Sequence, residues 1–446
     1  MISIEEFGRR LRTRETTVEK ATEESLHRIE NIAALNAFIL VMADEARRQA
    51  RELDKELAAG RDRGALHGVP ITVKDILDIR GTATTAASRV RDGRPARRDC
   101  PAIAHLRQAG AVFLGKTNLH EFAFGTTNED SAFGPARHPL DATRSPGGSS
   151  GGSAASLAAG VGLATIGTDT GGSIRIPAAA CGLVGLKPAL GDVSLDGVVP
   201  LSRTMDHVGP LALNVADASR VYHALLGDPA ATLPAPMPLT GLRLAVPRPY
   251  FCDLLDDGVR ATFEGALDRL RADGAHVDDI EIHHAPDIGA VYLHIVLSEA
   301  AAYHATSLEA VPERYTLPVR LRLEMGRYVL AEDYVRAMAG RAVLTREVDA
   351  ALAQHDALIL PSLAIPAPPL GTPSVEVAGR KEPVRNIMLR LTQLFNLTGH
   401  PAISIPSGKT RAGLPCGVQL VGERHETDAL LRVALACEGA ITQGRE

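Results

Sequence analysis

Along the first sixty residues apolar side chains return every third or fourth position, with Ile4, Phe7 and Leu11 on one face, and ADEARRQARELDKELAAG is built from strong helix formers up to Gly60. A helical segment over residues 1–62 is therefore expected. From Gly68 the texture changes. Short β-branched or apolar runs (GVPITVKDIL, AVFLG, GLATIGTD and later GLRLAVPR) alternate with helical stretches, which predicts a largely parallel or mixed sheet with helices on its faces. Residues 228–240, DPAATLPAPMPLT, are rich in proline and read as a surface crossing rather than a domain break. Helical spacing returns over 289–350, where a lid or side wall is expected. Strand texture resumes from 355 in DALILPS, PAISIPSG and GVQLVG, and a last amphipathic helix follows in TDALLRVALACEGA. If the C-terminal part (355–446) rejoins the sheet of the central part (63–227), the chain is one interwoven α/β domain, an α/β/α sandwich with a mixed central sheet.

Composition narrows the class. The 446 residues are 45% hydrophobic and 23% charged, the balance of a soluble globular chain able to bury a large core. A net charge of −5 and no long run of Lys or Arg argue against a nucleic-acid partner. Arg89, Arg91, Arg94, Arg97 and Arg98 cluster in a stretch with Pro and Gly that reads as a solvated loop. The five cysteines are scattered and lack a C-x-x-C pair, so neither a disulfide framework nor a structural zinc site is expected, and a reducing cytoplasm fits. The N-terminus is charged and amphipathic, and no run approaches ~18 apolar residues, so no membrane association is expected. With no Trp and few other aromatics, a substrate pocket would be walled by aliphatic side chains and single phenylalanines.

The chemistry is concentrated in residues 145–188, where the clusters GGSSGG and TGGS are joined by small and aliphatic residues. Cleaving an amide requires an activated nucleophile, a base, and donors for the tetrahedral oxyanion. Ser173 follows Thr170-Gly171-Gly172, where small residues let backbone N–H groups face a developing charge; it is the candidate nucleophile. Lys74 ends the apolar run from Val69, and burial there would lower its pKa toward that of a neutral general base. Ser149 is the candidate relay, since a hydroxyl donates and accepts at once.

These segments, together with HGVPITVKD (67–75), resemble the amidase signature family of serine amide hydrolases. The resemblance implies a Ser–cis-Ser–Lys triad that maps one residue at a time onto Ser173, Ser149 and Lys74, with 24 residues between the serines and 75 between Ser149 and Lys74. It further implies a cis Gly148–Ser149 peptide, an oxyanion hole from the N–H groups of Thr170, Gly171, Gly172 and Ser173, and an ion pair of Asp169 with Arg175 that orients the loop. Neither a metal nor another cofactor is required.

Competing motifs fail on context. Gly147-Gly148-Ser149-Ser150-Gly151 satisfies the nucleophile-elbow pattern G-x-S-x-G, but the preceding HPLDATRSP is loop rather than strand. Gly110 to Thr117 satisfies the P-loop pattern, but its inner AVFL is itself strand-like. The family resemblance leaves the substrate open among acyl and aryl amides, esters, carbamates, and the glutamine used by the A subunit of an aminoacyl-tRNA amidotransferase. In that subunit an acidic residue precedes an N-L-[AT]-G segment and recognises glutamine's amino group; NIMLRLTQLFNLTGHPAISIP contains no Asp or Glu. Phe122, Phe124 and Gly125, with Met388 and Phe395, are the candidate pocket residues, and a small to medium hydrophobic acyl or aryl amide is the expected substrate. The oligomeric state is open, a homodimer among the options.

Overall fold

Pro70–Lys74 is apolar or β-branched on both faces up to its terminal lysine, and all five residues are buried. Such a run is stable only in the interior of a sheet covered on both sides. The computed structural model, which describes residues 1–91 and 93–442, shows that arrangement. Its strands are β1 (Phe38–Val41), β2 (Pro70–Lys74), β3 (Val112–Thr117), β4 (Ala164–Asp169), β5 (Val184–Lys187), β6 (His207–Ala212), β7 (Arg243–Pro247), β8 (His276–Ile280), β9 (Ala357–Pro361), β10 (Ser374–Val377), β11 (Arg380–Pro383), β12 (Ala402–Lys409) and β13 (Pro415–Val421). Eleven of them form one mixed sheet in the order β1-β3-β2-β4-β6-β5-β12-β13-β9-β7-β8, while β10 and β11 make a separate hairpin. Helices flank the sheet to give the expected α/β/α sandwich.

The strand order decides where a site can form. β2 is parallel to β3 on one side and to β4 on the other. The chain thus leaves β2 in one direction and returns on its opposite flank. A crevice opens at the carboxyl ends of parallel strands at such a switch point, and Lys74, Thr117 and Asp169 all end their strands there. The C-terminal strands β12 and β13 sit in the middle of the sheet, β12 against β5 and β13 against β9. Residues 228–240 carry no helix or strand, and the sheet continues across them.

The N-terminal periodicity produces helices Ile4–Arg12, Val18–Asn31 and Ala43–Ala58, the first burying Ile4, Phe7 and Leu11. Helices Ile288–Ala310, Leu317–Gly326 and Ala331–Leu352 occupy the stretch expected to be helical. The final helix, Thr427–Thr442, covers the C-terminal strands; the last four residues of the 355–446 segment lie outside the described residues. All five cysteines are free and buried. Among the described residues no helix is long and apolar enough to cross a membrane.

Packing beside β3 is tight enough to need a glycine. A Cβ built on Gly152, in helix Gly151–Ala158, would lie 2.4 Å from Asn118 O and 2.6 Å from Ala37 O. Gly152→Ala, which would gain ~1 kcal/mol in an unhindered helix, is expected instead to destabilise by ~1–3 kcal/mol through overpacking against backbone. A urea midpoint at or above that of the parent chain would contradict this.

Candidate active site

Lys74 is the last residue of β2, with β3 and β4 on either side, and its side chain is fully buried. Its Nζ donates to Ser149 Oγ at 2.8 Å and to Thr168 Oγ1 at 2.7 Å. Burial lowers its pKa to about 7, against the opposing pull of Asp169 and Asp206. The neighbouring Lys116 is also buried but pairs with Asp75 at 2.5 Å. Of these two adjacent strand-end lysines, one has a carboxylate and the other has hydroxyls. Lys116 is also the lysine of the P-loop pattern, and its place inside β3 leaves no phosphate-cradling loop.

Ser149 is buried just ahead of helix Gly151–Ala158, and the Gly148–Ser149 peptide is cis. No strand precedes it, as the elbow pattern would need. Its carbonyl accepts from His120 N at 3.1 Å, and Gly151 N donates to Asn128 Oδ1 at 3.0 Å, which fixes the loop against residues 118–128. The next residue, Ser150, donates from its N–H to Ser173 O at 3.3 Å, so the two glycine-serine clusters are directly linked.

Ser173 lies in the loop after β4 and is 6% exposed. The loop is shaped by Asp169, whose carboxylate accepts from Gly172 N at 2.8 Å and Ile174 N at 3.1 Å. Arg175 grips the same carboxylate through Nε and Nη2, both at 3.0 Å, and both side chains are wholly buried. Burial pushes the Asp169 carboxyl upward, but Arg175, Lys187 and Asn396 outweigh it and hold the group well below the usual carboxylate range. Arg175 also donates to Thr392 O, Gln419 Oε1 and Asn396 Oδ1, tying the loop to the C-terminal part of the chain.

The four expected oxyanion donors are not equivalent. Gly172 N–H is committed to Asp169, which removes it from the donors free to turn toward a substrate. Among the described residues the N–H groups of Thr170, Gly171 and Ser173 have no acceptor. Thr170 is positioned by its hydroxyl, which donates to Asp206 Oδ1 at 2.5 Å. Burial raises the Asp206 carboxyl to about 6 in spite of that bond and two from backbone N–H groups.

The candidate pocket residues separate. Phe122 is 2% exposed and packs on His304 and Tyr315, at centroid distances of 4.3 and 5.6 Å, so it anchors the long helix rather than facing a cavity. Met388 and Phe395 are also core. Phe124 is buried between the guanidinium groups of Arg322 and Arg385, at 5.7 and 5.8 Å from its centroid. Gly125 lines a cavity, with Thr126, Thr127 and Arg385. A second cavity of about 330 Å³ is lined by Tyr292, Leu389, Gln393 and again Arg385. Tyr292 and Leu389 both abut Gly171: a Cβ built there would lie 2.4 Å from Tyr292 Oη and 3.0 Å from Leu389 Cδ2. Sequence reasoning had no handle on Thr168, Asp206, Tyr292 or Arg385, because each acts by meeting a residue distant in the chain.

The geometry has close counterparts. A family model described as Amidase matches residues 20–431. The chain belongs to the amidase family. It is a Ser–cis-Ser–Lys enzyme of the amidase signature type, a hydrolase acting on carbon–nitrogen amide bonds. The A subunit of the glutamyl-tRNA(Gln) amidotransferase of Anaeromyxobacter sp. (strain K) is 37% identical over 480 residues, covering 98% of this amidase and 96% of that protein. An amidase of Pseudomonas putida is 38% identical over 459 residues, with 99% and 96% covered. A crystal structure of an amidase superposes with a TM-score of 0.94 at 38% identity, covering 99% of this chain and all of that one (100%).

Removing one partner of the Asp169–Arg175 pair leaves a buried charge uncompensated. Arg175→Met in this amidase is expected to destabilise by about 3–5 kcal/mol, read as a lower urea midpoint; a change below ~1 kcal/mol would mean that Asn396 and the backbone donors suffice.

Proposed function

We propose that this amidase cleaves its substrate through an acyl-enzyme on Ser173, with Ser149 as relay and neutral Lys74 as base. The observation that carries the reading is the 2.8 Å contact between Lys74 Nζ and Ser149 Oγ, made by an amine whose pKa burial has brought to about 7. As the Ser173 hydroxyl attacks the carbonyl carbon, its proton passes to Ser149 and that of Ser149 to Lys74. The oxygen charge is received by the N–H groups of Thr170, Gly171 and Ser173, which fixed donors stabilise without reorganisation. On collapse the C–N bond breaks and the proton returns through Ser149 to the departing amine. Water then repeats the sequence on the ester and releases the acid.

The wall beside Gly171 supports a compact, partly polar acyl group better than an extended hydrophobic or aryl one. It combines Tyr292 and Leu389 with Arg385 and Gln393, and Phe122, Met388 and Phe395 are spent in the core. A second reading, release of ammonia from glutamine as an amidotransferase A subunit, is favoured by the near full-length similarity to such a subunit. Against it, the segment before Asn396 meets Gly171 through Leu389 and through the Thr392 hydroxyl, which donates to Gly171 O at 2.5 Å, and neither side chain offers an ammonium group a negative charge. A panel of aliphatic amides, anilides, carbamates, esters and glutamine separates the two: turnover of amides by the lone chain supports the first, and glutaminase activity that needs a partner subunit supports the second.

Ser173→Ala and Lys74→Ala should each lose at least about a thousandfold in kcat/KM, and a fluorophosphonate should label Ser173; a labelled Ser149 would return the reading to the elbow. Lys74 is protonated below its pKa and neutral above it, so kcat/KM should rise with pH through about 7 and level off beyond. A rate independent of pH from 5.5 to about 8.5 would exclude a lysine base.

A further inference from the structure

Arg385 is the residue shared by the two cavities that flank the reaction centre. One cavity is lined by Tyr292 and Leu389, the two side chains that abut Gly171. The other is lined by Thr126 and Thr127, whose backbone atoms lie 3.0 Å from a Cβ built on Gly148. Arg385 follows directly from the β10–β11 hairpin in helix Val384–Leu389. Its Nε is out of solvent and donates no hydrogen bond, and among the described residues no carboxylate lies within ion-pair distance of its guanidinium. Its guanidinium lies over the ring of Phe124, 5.8 Å from the centroid, and it shares one cavity with Tyr292.

Of the acids around it, Asp130 and Glu129 are otherwise engaged, while Glu382 shares one cavity with it outside ion-pair distance. Asp130 pairs with His120 at 3.0 Å and with Arg322 at 3.5 Å. Glu129 accepts from Gly371 N at 2.9 Å, and Glu382 lies on β11, half-exposed. Arg322, the other cation beside Phe124, spends its guanidinium on Phe124 O and Asp130. Arg385 is half-buried, and a guanidinium drawn partly out of water carries a desolvation penalty unless it is paired. Unpaired and aimed between two cavities, it is prepared to receive a planar anion by charge-assisted hydrogen bonds.

We propose that Arg385 binds a carboxylate on the acyl portion of the substrate, so that this enzyme prefers monoamides of short dicarboxylic acids to neutral amides of the same length. The inference rests on the acyl-enzyme reading above and adds the identity of the acyl group. In this proposal the carbonyl lies at the Gly171 donors and the acyl chain runs along Leu389 and Tyr292, which abut Gly171 and line one cavity with Arg385. A carboxylate at the far end completes an ion pair that the folded chain leaves open, and the apolar Leu389 suits the methylenes between.

The test compares succinamate and glutaramate with succinamide and glutaramide, which keep the polar end and lose the charge, in an ammonia-release assay. The expected result is a preference of about tenfold to a hundredfold in kcat/KM for the anions, the range of a hydrogen bond to a charged group. In Arg385→Met that ratio should fall toward one through KM, and Arg385→Lys should retain part of it. Independently of turnover, succinate or glutarate should raise the melting temperature of the parent chain and leave that of Arg385→Met unmoved. Equal rates on acid and diamide, or dicarboxylate stabilisation that survives the methionine variant, would overturn the proposal. Loss of the acyl-enzyme reading looks different: no amide of either kind is cleaved and Ser173 is not labelled.

Discussion

The amine of Lys74 lies at the carboxyl end of a strand that has parallel neighbours on both sides, and its hydrogen-bond partners are the hydroxyls of Ser149 and Thr168. A cation placed there would be shielded from water with no carboxylate beside it, so the environment favours the neutral amine. The contrast with Lys116 isolates the cause. One strand over, at similar burial, an aspartate sits at 2.5 Å. Burial lowers both amines, but of the two Lys116 has the adjacent carboxylate that holds the charged form. The tight glycine-serine loops can be understood as the means of bringing those hydroxyls in without bringing a charge.

Asp169 governs the opposite electrostatic problem. It is a carboxylate kept ionised in the interior because Arg175, Asn396 and backbone N–H groups converge on it. In doing so it bends the chain after β4 so that Thr170, Gly171 and Ser173 turn their N–H groups away from internal partners. Gly172 pays for that shape by giving its own N–H to the carboxylate. Of the four N–H groups expected to line an oxyanion hole, that of Gly172 therefore has an internal acceptor, because a loop that presents donors needs a donor of its own to hold it.

Much of this was legible in the chain. The 3.6-residue rhythm of the first sixty residues, the short apolar runs from Gly68 and the spacing of Lys74, Ser149 and Ser173 carry their information locally, and periodicity or motif is enough to read it. The pocket was not legible in the same way. Phe122, Phe124, Met388 and Phe395 are apolar residues near a motif, and nothing in a linear sequence says whether such a residue faces a cavity or the core. Arg385 was invisible for the complementary reason. An arginine is normally a solvated side chain, and only the folded arrangement shows one held between two cavities without a partner.

The position of β12 and β13 in the middle of the sheet has a temporal side. A chain made from its N-terminus completes β1 to β6 and then β7 to β9 long before residues 402–421 emerge, so β5 and β9 are left as open edges awaiting the strands that join them. Open edges are templates for wrong pairing during synthesis, and the growing chain carries that exposure almost to its end. The same order delays the chemistry. Asn396 and Gln419, which complete the grip on Asp169 and Arg175, arrive just before and within that last segment, so the nascent chain holds an unassembled loop around Ser173. The hydrolase becomes competent as the ribosome finishes it, and an interrupted translation product would be a liability for aggregation but not a stray amidase.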